Sequence, residues 1–267
     1  MARRAEALLA QIERDVLDES KPLKSALHKC VLLGGRAGSV DLRDWATREL
    51  RGYLGSEDAL PDYRHVRAPL LMDGLSGNFQ FRRKTVSYLD LPREARDVVT
   101  DEVPLTYGIG KIEDLSRQAD SRGGFIQLGP PSAPDLALLM SHESGGRHHV
   151  ERVFWSVSVA DLRSVVDAAR TALVELVAEL RAGTAQGDAA PSPEVVGQAL
   201  QFVVYGKGHR ITVAPAGEGG TAIATSEKGE PEQPGFWTTS RRIGAAIVGI
   251  AAIVTAVAAV LALHPKF

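Results

Sequence analysis

Apolar residues Ala5, Leu8, Leu9, Ile12 and Val16 recur at the i, i+3, i+4, i+7 spacing of a helix with one buried face. Ser20 and Pro22 open a second predicted helix with Leu23, Leu27, Cys30 and Val31 on its apolar side, and Gly34-Gly35 reads as its stop. Ser39 or Asp41 caps a third, which carries Leu42, Trp45, Ala46, Leu50 and Tyr53 and ends near Gly52 to Gly55. The pattern then changes to a period of two. Phe79 and Phe81 alternate with polar neighbours in NFQFR, and Val86 and Tyr88 continue the alternation. Val153, Trp155, Val157 and Val159 alternate more strictly and predict a strand. Between these, 113–119 and 134–141 read as short helices separated by Gly123-Gly124 and Pro130-Pro131. A long helix over 161–181 carries Leu162, Val165, Val166, Ala169, Leu173, Leu176, Val177 and Leu180 in one stripe, with Gly183 as its stop.

Past that helix, residues 183–192 have linker composition. Residues 193–214 read as a small element, a helix from Pro193 to about Leu200 and then a β-hairpin around Gly206-Lys207-Gly208. Residues 215–240 form a second linker. The fold class expected is α+β: N-terminal helices, a central antiparallel sheet and a long closing helix, followed by one C-terminal transmembrane helix.

That last helix rests on the uncharged apolar run from Ile243 to Leu263. At ~1.5 Å per residue it extends roughly 31 Å, the thickness of a bilayer's hydrocarbon core. Arg241 and Arg242 precede it, and Trp237 stands just outside them at the depth of an aromatic belt. Two arginines before the span outweigh Lys266 after it, so residues 241–267 are expected to be a single-pass anchor in the inner (plasma) membrane with the N-terminal bulk in the cytoplasm. Ala245 and Gly249, and likewise Ala252 and Ala256, stand four apart. Small residues at that spacing admit close contact between helices. Two outcomes stay open, an anchor that associates with copies of itself and an alanine-rich anchor with no specific partner.

Charge and composition narrow the classes. With 44% hydrophobic and 24% charged residues the chain is globular in character, and a net charge of −2 over 267 residues gives no overall nucleic-acid footprint. Cys30 is the single cysteine, so no intramolecular disulfide and no cysteine-rich zinc site can form. The N-terminus has no apolar core of the kind a secretory signal needs, because Glu6, Glu13, Arg14 and Asp15 interrupt it.

Candidate chemistry is sparse. Gly108-Ile109-Gly110-Lys111 and Gly206-Lys207-Gly208 lack the spacing of a phosphate-binding loop, and no GxSxG elbow is present. HESGGRHH, His142 to His149, is not HExxH, and Gly145-Gly146 break any helix that would align its histidines, so no metal is expected. No cofactor is expected either. The densest basic spot is Arg82, Arg83 and Lys84 in FRRK, which reads either as a contact for a phosphate or acidic lipid head or as a solvated strand end. Glu49, Tyr63 and Arg64 are polar groups on otherwise apolar stretches. They read as a buried Arg64–Glu49 ion pair or as part of a ligand site.

The run LDESKPLKSALHKCVLLGGRAGSVDLRDWATRELRGY, Leu17 to Tyr53, with LPDYR at Leu60 to Arg64, resembles the AbiTii domain of bacterial proteins associated with abortive phage infection. The resemblance is carried by Asp18, Ser20, Pro22 and Leu23, then Trp45, Glu49, Leu50, Gly52 and Tyr53, then Leu60, Pro61, Tyr63 and Arg64. The helix over 161–181 fits the family's late helix, which extends the resemblance over roughly residues 5 to 182 and marks 1–182 as one AbiTii-like cytoplasmic domain. What it implies is a role in defence rather than a reaction, and no catalytic residue comes with it. The expected function is that of a membrane-anchored antiphage defence component with a cytoplasmic sensing or binding domain. Its expected partners are the lipid bilayer, an unidentified protein or infection-related ligand, and copies of itself through the anchor or the β element, with no nucleic acid. A membrane-tethered enzyme and a scaffold that recruits a partner to the membrane are the alternatives.

Overall fold

The computed structural model describes residues 2–121, 123–184 and 191–206, with side chains in the first helix from Leu8 onward. The expected hairpin return, the linker over 215–240 and the anchor with Trp237, Arg241, Arg242, Ala245, Gly249, Ala252 and Ala256 lie outside the described residues. Among the described residues no helix is long and apolar enough to cross a membrane. The chain divides into two compact units. The first takes the chain up to Tyr63, Thr106–Glu113 and, from Val165, the rest of the described chain; the second takes Arg64–Leu105 and Asp114–Ser164.

The first unit is helical. It is built from α1 (Ala2–Leu17), α2 (Leu23–Ala37), α3 (Val40–Arg51), the greater part of α6 (Val159–Ala182) and α7 (Pro193–Tyr205). Leu8, Leu9, Ile12 and Val16 of α1, Leu27 and Cys30 of α2, Trp45 of α3 and Leu173, Leu176 and Leu180 of α6 share one hydrophobic core, as the periodicity predicts. Arg170 of α6 closes the end of α1 by donating from Nη1 to the Val16 carbonyl at 2.8 Å and from Nη2 to the Lys21 carbonyl at 3.1 Å.

Three local expectations are corrected here. Gly34-Gly35 does not stop α2, which runs to Ala37 and ends at Gly38 in the left-handed conformation, φ 70°. Gly34 is instead a packing residue, since a Cβ there would stand 2.9 Å from the Arg43 backbone nitrogen and 3.1 Å from the Ser39 carbonyl. Ser20 does not cap α2; its hydroxyl bonds Asp18, and the Leu23 N–H donates to Oε1 of Glu113 at 3.2 Å. Of the two cap candidates expected for α3, Ser39 is the cap, accepting from the Leu42 N–H at 3.3 Å, as one of the alternatives had it. The third correction concerns Phe202 to Tyr205, read as the first strand of a hairpin but helical in α7 up to a Gly206 cap at φ 61°. Val196, Ala199, Leu200 and Val204 all bury on one side of that helix, and this packing outweighs the β propensity of its last turn.

The second unit is built on antiparallel sheets. Strands β1 (His65–Arg67) and β4 (Glu102–Pro104) form a short pair. Strands β2 (Leu70–Ser76), β3 (Phe79–Thr85), β5 (Phe125–Leu128) and β6 (His149–Ser158) form a four-stranded sheet in the order β3-β2-β6-β5. The α+β class expected from the pattern is the class observed. Helices α4 (Ile109–Ser121) and α5 (Ala133–Glu143) fall where short helices are predicted, and α5 packs along β6. Alternation at Val153, Trp155 and Val157 does mark β6, but Val159 begins α6, because Ser158 and Asp161 cap that helix, the Ser158 hydroxyl bonding Oδ2 at 2.6 Å. Tyr88 leaves the β pattern for a single 3-10 turn over Tyr88–Asp90.

Candidate functional site

The feature of the second unit with the most concentrated charge is centred on Asp73, in the middle of β2. The residue is 1% exposed, and its carboxylate accepts from the Arg83 N–H at Oδ1, 2.6 Å, and from Arg152 Nε at Oδ2, 2.8 Å. Arg82 stands 3.9 Å from Oδ2. Burial alone pushes the Asp73 carboxyl up, and the Arg83 N–H, the Arg152 guanidinium and the Arg82 charge together outweigh it, so the group is held below the usual carboxylate range.

Two register irregularities bring these groups together. Between β2 and β3 the pairing passes from Met72–Lys84 to Gly74–Phe81, so Asp73 faces both Arg82 and Arg83. Between β2 and β6 it passes from Asp73–Arg152 to Gly74–Val150. Gly74 is required at this crossing, since a Cβ would stand 2.2 Å from the His149 carbonyl and 2.8 Å from the Phe81 ring. Arg83 takes the bulge with φ 53°, a left-handed conformation that an arginine adopts only at a cost of ~1–2 kcal/mol.

The pleat gathers the rest of the site. Asp73 pairs with Arg152, Ser156 with Gln127 and Ser158 with Phe125, so these residues share one face of the sheet. On that face Arg152 Nη1 donates to Gln127 Oε1 at 3.1 Å, and its guanidinium lies 5.1 Å from the Phe154 ring centre. Arg83 reaches across the sheet to the opposite edge: its Nη2 is 3.4 Å from the buried Ser156 hydroxyl and its guanidinium lies 5.6 Å from the centre of the Phe125 ring. A cleft of about 450 Å³ opens beside Arg83, lined also by Leu115 and Gln118 of α4, Phe125 and Gln127 of β5, and Ser156. Two guanidinium groups, of Arg82 and Arg152, thus stand at one carboxylate, and a third, of Arg83, extends from the same bulge to the cleft. Such an arrangement can grip a phosphoryl or carboxylate group in the forked geometry of arginine.

Of the basic residues singled out in the sequence, Arg82 and Arg83 join this site. Lys84 pairs with Met72 and lies 5.6 Å from the Phe81 ring centre. The sequence reading missed Asp73, Arg152, Ser156, Phe125, Gln118 and Gln127. One signal was present, an aspartate inside the apolar run LLMDGL.

Glu49, in α3 of the first unit, is fully buried, and its Oε1 accepts from the Tyr53 hydroxyl at 2.7 Å and the Tyr63 hydroxyl at 2.8 Å. Arg64 belongs to the second unit, where it is fully buried and Nη1 donates to the Leu105 carbonyl at 3.3 Å. The Glu49 cluster ties the end of α3 to the segment around Tyr63. HESGGRHH closes α5 and turns into β6 through Gly145 and Gly146, both at positive φ, with Ser141 Oγ accepting from the Val150 N–H at 2.8 Å.

No curated protein and no solved structure matches the chain. A family model described as AbiTii matches residues 7–198, a range that holds every motif of the first 65 residues quoted above together with the sheet face just described. The chain belongs to the AbiTii family, which associates it with abortive infection.

Proposed function

We propose that this chain is a membrane-anchored antiphage component of the abortive-infection type whose sheet-bearing unit binds an infection-related ligand through an anionic group. The observation that carries the ligand reading is the arginine face: Arg82, Arg83 and Arg152 around one carboxylate, beside an open cleft. Arg83 supports it a second time, because strained backbone in a non-glycine residue concentrates at binding sites. The anchor rests on the apolar run Ile243 to Leu263, and the cytoplasmic placement of the binding unit on Arg241 and Arg242. Ala245, Gly249, Ala252 and Ala256 offer a small-residue row through which copies of the span associate.

The reading is tested in cells. Cells expressing the wild-type chain should survive phage challenge as a population, and Arg83→Glu should abolish that protection while the protein stays in the membrane fraction. Reporters fused after Phe267 and at Met1 should be accessible from outside and inside the cytoplasm respectively. Unchanged protection in Arg83→Glu removes the arginine face from the function, and reversed accessibility removes the cytoplasmic placement.

A further inference from the structure

We propose that the cleft beside Arg83 takes a nucleoside monophosphate or a larger ligand ending in one, with the phosphate on Arg83 and the base against Phe125. This rests on the anionic-ligand reading above and narrows it. A site for a bare phosphate needs only guanidinium and hydroxyl donors, and Arg83 and Ser156 provide those in the cleft. The rest of the lining is superfluous for that task. Phe125 is 47% exposed at the rim of the cleft, an aromatic ring on an edge strand with the Arg83 guanidinium over it. Leu115 of α4 adds an apolar side chain to the lining. Gln118 and Gln127 bring two amides into the cleft, from a helix and from the edge strand. Each amide offers both a donor and an acceptor.

A ligand that uses all of these is flat and apolar on its faces, carries donors and acceptors around its edge, and has a phosphoryl group at one end. That is the chemistry of a nucleotide. The cleft's volume of about 450 Å³ suits one small ligand rather than a polymer groove, within the ~300–1,000 Å³ usual for such sites. Gln127 is held in place from the sheet face. Its Oε1 already accepts from Arg152, so the amide that would read the base is oriented by the same guanidinium that pairs with Asp73, and its NH2 stays available as a donor.

The test uses the full chain in detergent micelles and measures direct binding of AMP, GMP, CMP and UMP by titration calorimetry. Ribose 5-phosphate, glycerol 1-phosphate, inorganic phosphate and adenosine serve as partial ligands. At least one nucleotide should bind tenfold or more tightly than ribose 5-phosphate, consistent with ~5- to 150-fold for stacking a single base. Phe125→Leu should bring that nucleotide down to the ribose 5-phosphate level while leaving ribose 5-phosphate itself unchanged. Arg83→Gly should weaken the nucleotide and the bare phosphates alike without lowering the unfolding midpoint, because glycine accepts the backbone conformation at 83. Equal binding of nucleotides, glycerol 1-phosphate and inorganic phosphate, insensitive to Phe125→Leu, would overturn the nucleotide assignment and leave an anion site, with a lipid headgroup as one source. Failure of every phosphorylated probe to bind would overturn both readings.

Discussion

The backbone N–H of Arg83 donates to the buried carboxylate of Asp73 at 2.6 Å, so one side chain fixes the conformation of a neighbouring strand while also holding the guanidinium of Arg152. Asp73→Asn keeps the shape and one acceptor but removes the charge from a group that serves a backbone donor and two arginines. It is expected to destabilise the protein by about 1.5–3 kcal/mol, the range for hydrogen bonds to charged groups, measured by chemical unfolding.

The same carboxylate gives an acid dependence with a defined sign. Asp73 is held below its ordinary value in the folded protein, so its contribution is complete above about pH 4 and is lost as pH falls through the depressed value. Asp15 behaves alike, lowered by its bond to Lys29 and then by Lys21. Wild type and Asp73→Asn should therefore differ in stability at neutral pH and converge in acid. A difference that persists undiminished at pH 2 contradicts the assignment.

At Glu49 two tyrosine hydroxyls share one oxygen. Tyr53→Phe and Tyr63→Phe should each destabilise by about 1–3 kcal/mol, and the double variant should depart from additivity because both remove partners of the same buried atom. A double-mutant cycle with a coupling energy near zero would show the two bonds to be independent.

Cys30 sits in the helical core, where burial pushes its thiol up to about 12. The folded protein should resist a thiol-modifying reagent at neutral pH, with labelling that tracks unfolding in denaturant. Rapid labelling under native conditions would mean that α2 opens locally.

Much of the helical unit was legible from spacing alone, since Leu8, Ile12, Val16, Leu27, Trp45 and Leu173 declare their buried faces in sequence. The sheet was legible only where one face alternates. Strand β2 escaped notice because Leu70, Leu71, Met72 and Asp73 are all buried, so the apolar-polar alternation that marks a half-exposed strand is missing. Gly34 was misread because a glycine needed for close helix approach looks, in one dimension, like a glycine that ends a helix. Arg82 and Arg83 were visible as a basic pair, but their partners Asp73, Arg152 and Ser156 are distant in sequence and are joined only by strand register. A bulge leaves no compositional mark, so no spacing rule would have placed both arginines opposite one aspartate.

That bulge also makes the charge of the sheet a question of parity. In an even ladder, consecutive residues of β3 point to opposite sides and a single arginine meets Asp73. One additional residue in the strand breaks the alternation, so two neighbours in sequence serve the same carboxylate. Deleting either Arg82 or Arg83 would thus do more than subtract a charge. It would restore even counting between Phe81 and Lys84 and leave a single arginine opposite Asp73, to serve either the carboxylate or the cleft where two now divide those tasks. In this chain the length of β3, and not only its composition, sets where positive charge is displayed.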